Sequence, residues 1–476
     1  MIPEDLGGAK DQTKEERETA SLERAMRQKS PQRELPFGST GEAPSAGGSG
    51  EARSAANGNG RSGTDHLMEL VVERGNVKRA LKRVRQNKGS PGIDGMRVNE
   101  LGAWLYENGA LLRSQLLAGD FGPHSVRRCE IPKSGGGTRM LGIPTAIDRL
   151  VQQMILQVLQ PLFDPTFSEH SHGFRPGRKA HDAICEAHQY IRDGRQWVVD
   201  VDLEKFFDRV NHDVLMGLLA KRFEDKRLLR VVRRFLEAGM LADGIVIERH
   251  EGTPQGGPLS PLLANVLLDV VDKELEKRGH AFVRYADDCN VYVRSKRSGE
   301  RVLEALRGLY AKLRLRINES KSAVDRPWKR DFLGYSFWVA KGREVKRRLG
   351  DKARAKIKDR IRELTSRNGG ESIESVVKKL TAYLSGVKPY LALVEGPRPL
   401  LDLDQWINHR IRQVQLKQWK RGTTTFRELR ARGMSVDVAA KVAGNTRSWW
   451  RNSGMAINIA LPRTHYERMG LPRLAP

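Results

Sequence analysis

The tetrad Tyr285-Ala286-Asp287-Asp288 lies between two apolar runs, Phe282-Val283-Arg284 before it and Val291-Tyr292-Val293 after it. Apolar residues at alternating spacing on both sides of a short polar tip specify a β-hairpin. Its tip then presents two adjacent carboxylates, which repel one another, and a divalent cation is the partner that favours such an arrangement. A solvated turn also accommodates the tetrad, because Asp is a good turn residue. What surrounds the tetrad decides between these readings.

The chain has 476 residues, enough for two or three domains, and its hydrophobic fraction of 39% agrees with a globular protein. No uninterrupted apolar run approaches a membrane span, and Met1-Ile2-Pro3-Glu4-Asp5 lacks the basic start and apolar centre of a signal peptide. The expectation is therefore no membrane association and residence in the compartment of synthesis. Cys129, Cys185 and Cys289 are widely separated, which implies neither a disulfide framework nor a zinc knuckle.

Charge says more: 84 Lys and Arg against 58 Asp and Glu leave +26. Nucleic acid is the partner class this favours, with a solvated basic surface as the alternative. Residues 1–64 hold 9 basic and 10 acidic residues, so the remaining chain carries +27; residues 341–440 hold 24 against 11, or +13. Half the net charge thus lies in about a fifth of the chain.

Residues 1–64, rich in Gly, Ser, Ala, Glu and Arg with Phe37 as their only aromatic, read as a disordered N-terminal tail with a transient helix near Lys14 to Lys29. From Leu67 to Val84 apolar residues recur at helical spacing, interrupted at Gly75. In Ile131 to Arg139, glycines join two short strands and set Lys133 and Arg139 on either side of a tip suited to phosphate, or to water alone. Asp148 to Phe163 reads as an amphipathic helix, and Gly173-Phe174-Arg175-Pro176-Gly177-Arg178 as a second basic loop.

The run Gln196 to Leu203 alternates as a strand with Val198, Asp200 and Asp202 on one face, where a carboxylate is costly unless paired or metal-bound. Asn211 reads as the N-cap of a following helix, which accounts for Asp208 and Asp213 as turn and cap residues. Thr253 to Pro261 has the form of a helix entrance, with Ser260 capping and Pro261 at the first helical position. Gln255-Gly256-Gly257 is left over, and two glycines there let a substrate approach the backbone.

Taken in order, Lys133 to Arg139, Gly173-Phe174-Arg175, Asp202 to Phe207, Pro254 to Gly257, Tyr285 to Asp288, Asn318 to Lys321 and Phe332-Leu333-Gly334-Tyr335 resemble the reverse transcriptases encoded by bacterial group II introns. The resemblance covers about residues 65–440. It implies an α+β fold, the right-hand polymerase: fingers and palm with an antiparallel sheet over 65–340, a helical thumb/maturase region over 341–440, and a C-terminal extension over 441–476. It further implies that Asp202, Asp287 and Asp288 are catalytic and hold two Mg²⁺ ions, with Asp200 behind them. One ion would activate the primer 3′-hydroxyl and the other neutralise the triphosphate. Lys133 and Arg139 match residues that clamp the incoming nucleotide, Gln255 one beside it, and Phe207 the aromatic that excludes a ribose 2′-hydroxyl. Lys321 matches a weak candidate for protonating pyrophosphate, against a solvated lysine.

The partners implied are group II intron RNA, an RNA template with a DNA primer, target DNA and dNTPs, in a bacterial cytoplasm with nucleoid association during work on DNA. The oligomeric state stays open. Tyr383, Tyr390, Trp406 and Trp419 are interspersed among basic helices, either as core or as stacking platforms. Gly386-Val387-Lys388-Pro389-Tyr390 departs from the family, which commonly has Trp after the Gly and no Pro. After residue 440 no nuclease pattern is visible, which resembles the endonuclease-lacking lineage. Alternatives are a domesticated relative acting in DNA repair or phage defence, and a splicing maturase with little polymerase activity. RNA synthesis is disfavoured by Phe207 and by Tyr285.

Overall fold

The computed structural model describes residues 64–476, apart from 133–137, 243–244, 248–250, 254–255, 343, 446–447, 455 and 476. The expected tail, Lys133 and Gln255 lie outside the described residues. In chain order the first part comprises α1 (Leu67–Val71), α2 (Arg74–Gln86), α3 (Leu101–Ala118), β1 (Val126–Pro132), β2 (Thr138–Ile143), α4 (Ala146–Phe163), α5 (Ala180–Arg192), β3 (Trp197–Val201), α6 (His212–Ala220) and α7 (Lys226–Glu237). Then come β4 (Met240–Ala242), β5 (Ile245–Ile247), α8 (Ser260–Lys277), β6 (Ala281–Tyr285), β7 (Asp288–Val293), α9 (Lys296–Lys312) and β8 (Ala323–Asp325). The chain continues through β9 (Tyr335–Val339), β10 (Val345–Leu349), α10 (Asp351–Leu364), α11 (Ile373–Val387), α12 (Arg398–Gln418), α13 (Gly422–Ala431), α14 (Val436–Gly444), α15 (Trp449–Gly454) and α16 (Arg463–Arg468). The class is α+β, as expected.

Local chemistry explains most starts and stops, with three corrections. The break expected at Gly75 falls at Val72 and Glu73; Glu73 takes extended backbone as the N-cap of α2, so Gly75 sits inside the new first turn. Helix α4 begins at Ala146, because the Thr145 hydroxyl accepts from the Asp148 amide at 3.1 Å. Its first ten residues are all buried, so its first half is a core helix rather than a one-faced amphipathic one. At α8 the cap position belongs to Leu259, and Ser260 is already helical, its hydroxyl accepting from Thr253 Oγ1 at 3.0 Å. Asn211 does cap α6, accepting from the Val214 amide at 3.0 Å.

A four-stranded antiparallel sheet, ordered β6-β7-β3-β8, divides two hydrophobic cores. Strand alternation does the dividing. Val199, Val201, Phe282, Cys289, Val291 and Val293 face a core shared with α4, α8 and α9, while Val198, Val283 and Tyr292 face one shared with α5 and the carboxy-terminal helices. A second sheet, β2-β1-β4-β5, contains a parallel pair between β1 and β4, and a two-stranded hairpin joins β9 to β10.

The expected divisions at 340 and 440 fall, respectively, in the β9–β10 turn and inside α14. Residues after 440 fold back onto α12: the buried Asp404 carboxylate accepts from the amides of Leu474 and Ala475 and pairs with Arg463, and Arg412 donates to the Leu461 carbonyl. Tyr383, Tyr390 and Trp419 are core residues. Trp406 is partly buried beneath Lys358 and Arg362, 5.2 and 5.5 Å from its ring centre, so basic–aromatic interleaving is used within the protein there. Pro389 follows the end of α11, and Tyr390 packs on Tyr335 with ring centres 5.2 Å apart, which accommodates the departure from the family pattern.

Candidate active site

The hairpin has a two-residue turn: Tyr285 pairs with Asp288, leaving Ala286 and Asp287 at the tip. Ala286 adopts φ +58, the left-handed region that a two-residue hairpin turn favours and that a side chain resists. Strand β7 runs antiparallel to β3, with Asp200 opposite Asn290 and Val201 opposite Cys289. The ladder ends there: Asp202 follows Val201 and Asp288 precedes Cys289, so both aspartates leave it at the same end. The three carboxylates named from sequence are thus brought to one end of one sheet.

The electrostatics are those of crowded anions. Asp288 keeps a solvent-open edge, yet the protein around its carboxyl, followed by the charges of Asp287, Asp200 and Asp202, pushes it up to about 8. Burial also raises Asp200, against the pull of Arg330, whose Nε donates to Asp200 Oδ2 at 2.7 Å. Lys321 Nζ lies 3.3 Å from Asp202 Oδ2, and the Asp202 backbone is held by the Asn318 amide and the Ser322 hydroxyl. Among the described residues no three His, Cys, Asp or Glu side chains converge closely enough to hold an ion. The donor set nevertheless suits magnesium: hard oxygens, mutually repulsive, one of them driven toward its protonated form by burial and by its anionic neighbours.

The remaining predicted residues divide. Arg139 occupies β2 opposite Ile131. Phe207 sits in a 3₁₀ turn just after β3, nearly buried, with its ring 5.1 Å from that of Phe206. Its carbonyl accepts from the Thr253 amide at 2.7 Å, which ties this turn to the segment leading into Gln255. The two glycines after Gln255 serve protein packing: a Cβ at Gly256 would come 2.6 Å from the Gly142 carbonyl, and one at Gly257 2.2 Å from Gln152 Oε1. Arg175 is no phosphate ligand here. It is buried, bonded to Asp164 and to the carbonyls of Ser168 and Ser171.

Sequence reasoning missed Arg330, whose partner Asp200 is 130 residues away. It also missed Arg284, whose charge in the middle of an apolar strand was a legible signal, as were Asn265, Asp269 and Asp272 in an apolar helix.

Two family models match the chain. "Reverse transcriptase (RNA-dependent DNA polymerase)" covers residues 131–337, and "Group II intron, maturase-specific domain" covers residues 354–433. Protein YkfC of Escherichia coli (strain K12) is 33% identical over 300 residues, 54% of this chain and 78% of YkfC. Group II intron-encoded protein LtrA of Lactococcus lactis subsp. cremoris is 38% identical over 156 residues, 33% of this chain and 26% of LtrA. An uncharacterized 91 kDa protein in a cob intron of Schizosaccharomyces pombe is 38% identical over 150 residues, 32% of this chain and 18% of that protein. The chain therefore spans most of YkfC but about a quarter or less of the two intron proteins.

An α+β palm with these matches defines the class: an RNA-directed DNA polymerase with a right-hand fold, of a kind that generally uses a divalent metal. Within that class the chain belongs to the group II intron-type reverse transcriptase/maturases. No helix among the described residues is long and apolar enough to cross a membrane.

Proposed function

We propose that this polymerase binds a group II intron RNA, assists its splicing and copies it into DNA at a target site, extending a DNA primer with dNTPs. The register that pairs Val201 with Cys289, and so ends β3 and begins β7 with Asp202 and Asp288 beside the hairpin turn, is the observation that supports this reading most strongly. The maturase-specific match over 354–433 and the +13 charge of residues 341–440 support the RNA-binding half of it. Fingers and palm would occupy residues 65–340, the thumb/maturase region 341–440, and 441–476 an extension. The work would be cytoplasmic, at the nucleoid when DNA is the target.

In this reading Asp202, Asp287 and Asp288 hold two Mg²⁺ ions. When bound, magnesium supplies activation of the primer 3′-hydroxyl and neutralisation of triphosphate charge. The side chains do the rest. Lys133 and Arg139 grip the triphosphate by charge, Gln255 lies beside the nucleotide, and the Phe207 ring leaves no room for a 2′-hydroxyl. Arg330 takes the Asp200 charge out of competition for cations.

Primer extension on an RNA template with Mg²⁺, comparing dNTPs with NTPs, tests this. The wild type is expected to favour dNTPs by about a hundredfold, and Phe207→Val to narrow that gap about tenfold. Failure to extend with dNTPs would defeat the reading, and unchanged discrimination in Phe207→Val would remove the gate.

A further inference from the structure

Arg284 and Asp272 form an ion pair with side chains 1% and 0% exposed, and Arg284 lies in β6 between the core residues Phe282 and Cys289. A buried pair of this kind contributes little net stability over apolar residues of similar volume, so its presence asks for another reason. The hydrogen bonds supply one. Arg284 Nε and Nη2 are spent on Asp272 at 2.6–2.9 Å, while Nη1 reaches Asn265 Oδ1 at 2.9 Å and the Ala286 carbonyl at 2.8 Å. That carbonyl belongs to the tip residue held at φ +58, between Tyr285 and the two aspartates.

The same helix supports the tip from a second side. Asn265, Asp269 and Asp272 form a buried polar stripe along one face of α8, and each is bonded to this region. Asn265 Nδ2 donates to the Gly173 carbonyl at 2.9 Å, Asp269 Oδ1 accepts from the Ser168 amide at 3.0 Å, and Asp272 anchors Arg284. Gly173 lies against the Tyr285-Ala286 peptide, and residues 170–172 bond the Arg284 backbone at both its amide and its carbonyl.

We infer that Arg284 is a positioning residue: anchored on Asp272 and Asn265, it holds the Ala286 carbonyl and so fixes the turn from which Asp287 and Asp288 project. A non-glycine residue at positive φ is strained and persists where its surroundings over-determine it; here the guanidinium and the Gly173 backbone do so. Loosening the anchor displaces the carboxylates without removing them. The loss therefore appears in the rate of chemistry and in the demand for metal, not in the grip on nucleic acid.

This inference rests on Asp287 and Asp288 acting in polymerisation, so its test carries that control. The full chain would be compared as wild type, Asp287→Ala, Arg284→Lys and the apolar double variant R284M/D272L, in RNA-templated primer extension across a Mg²⁺ titration. Melting curves and primer–template affinity would be measured alongside. For R284M/D272L the expected result is a melting temperature near wild type, affinity within about twofold, a maximal rate lower by about tenfold or more, and a severalfold higher Mg²⁺ requirement. Arg284→Lys keeps the charge without the fork and is expected to fall between; it decides alone if the double variant does not fold. Wild-type rate and Mg²⁺ dependence in the folded variants, with Asp287→Ala inactive, would overturn the inference and leave the functional reading standing. An inactive wild type, or an active Asp287→Ala, would bring down both.

Discussion

Gly173 has no side chain because there is no room for one: a Cβ would come 2.2 Å from the Ala286 amide nitrogen and 2.9 Å from the Tyr285 carbonyl carbon. Both are backbone atoms of the hairpin turn, which cannot step aside as a flexible side chain does. Gly173→Ala is therefore expected to destabilise the protein by about 1–3 kcal/mol and to depress polymerase activity further than that loss explains. Gly217→Ala, in α6 with nothing within 4 Å of its Cβ, is the matched control and should be neutral or slightly stabilising. Melting and primer extension of both variants check this, and a Gly173→Ala protein indistinguishable from wild type would refute the close-packing account. At this scale the aspartates were legible because carboxylates in apolar strands need explaining. The partners that restrain them, Arg330 for Asp200 and Lys321 for Asp202, were not, since nothing local in the sequence announces a contact across 130 or 119 residues.

The segment 168–173 and α5 meet through a charged cluster behind the palm sheet. Glu186 Oε2 lies 2.6 Å from His172 Nε2, and Oε1 accepts from the Tyr190 hydroxyl at 2.8 Å and bonds His170 Nδ1. Burial alone would raise the Glu186 carboxyl, but hydrogen bonds from His170, His172 and Tyr190 outweigh it and hold the group down at about 2, against an ordinary 4.5. The Glu186 hydrogen bond raises His170 above its ordinary 6.5, against the opposing effect of burial. A depressed carboxyl stabilises the fold above its unfolded value, and that contribution is lost as pH falls from about 4.5 toward 2. A raised histidine stabilises below about 6.5, and its contribution is lost as pH climbs through the folded value. The stability deficit of Glu186→Gln, measured by denaturant unfolding, should thus be largest between about pH 4.5 and 6.5 and shrink on either side. A deficit constant from acid to alkaline pH would show that the cluster acts through packing alone.

Elements with a clear period were readable: α1 and α2 follow the helical spacing of Leu67 to Val84, and β1 and β2 flank the expected glycine-rich tip. The start of α8 was misread by one residue because Ser260 has a partner in Thr253 that no cap rule foresees. Strands β4 and β5 have three residues each; β4 pairs with β1 across more than a hundred residues and β5 pairs with β4, and such short strands carry no periodic signal of their own.

The palm sheet lies between two cores, and among the described residues Asp202, Asp287 and Asp288 stand together at one end of it. The positive charge gathered in residues 341–440 matches the demand of an RNA duplex, and the share of it spent on Trp406 and on Arg347–Glu395 holds that region together. We propose these three aspartates as the polymerase centre of an intron-type reverse transcriptase. Single-nucleotide incorporation into a primer on an RNA template, by wild type and by Asp287→Ala at saturating primer–template, tests it most directly. The variant is expected to fall by about a thousandfold or more, several kcal/mol of lost transition-state stabilisation, with binding of the duplex unchanged. Incorporation by Asp287→Ala at the wild-type rate would contradict it.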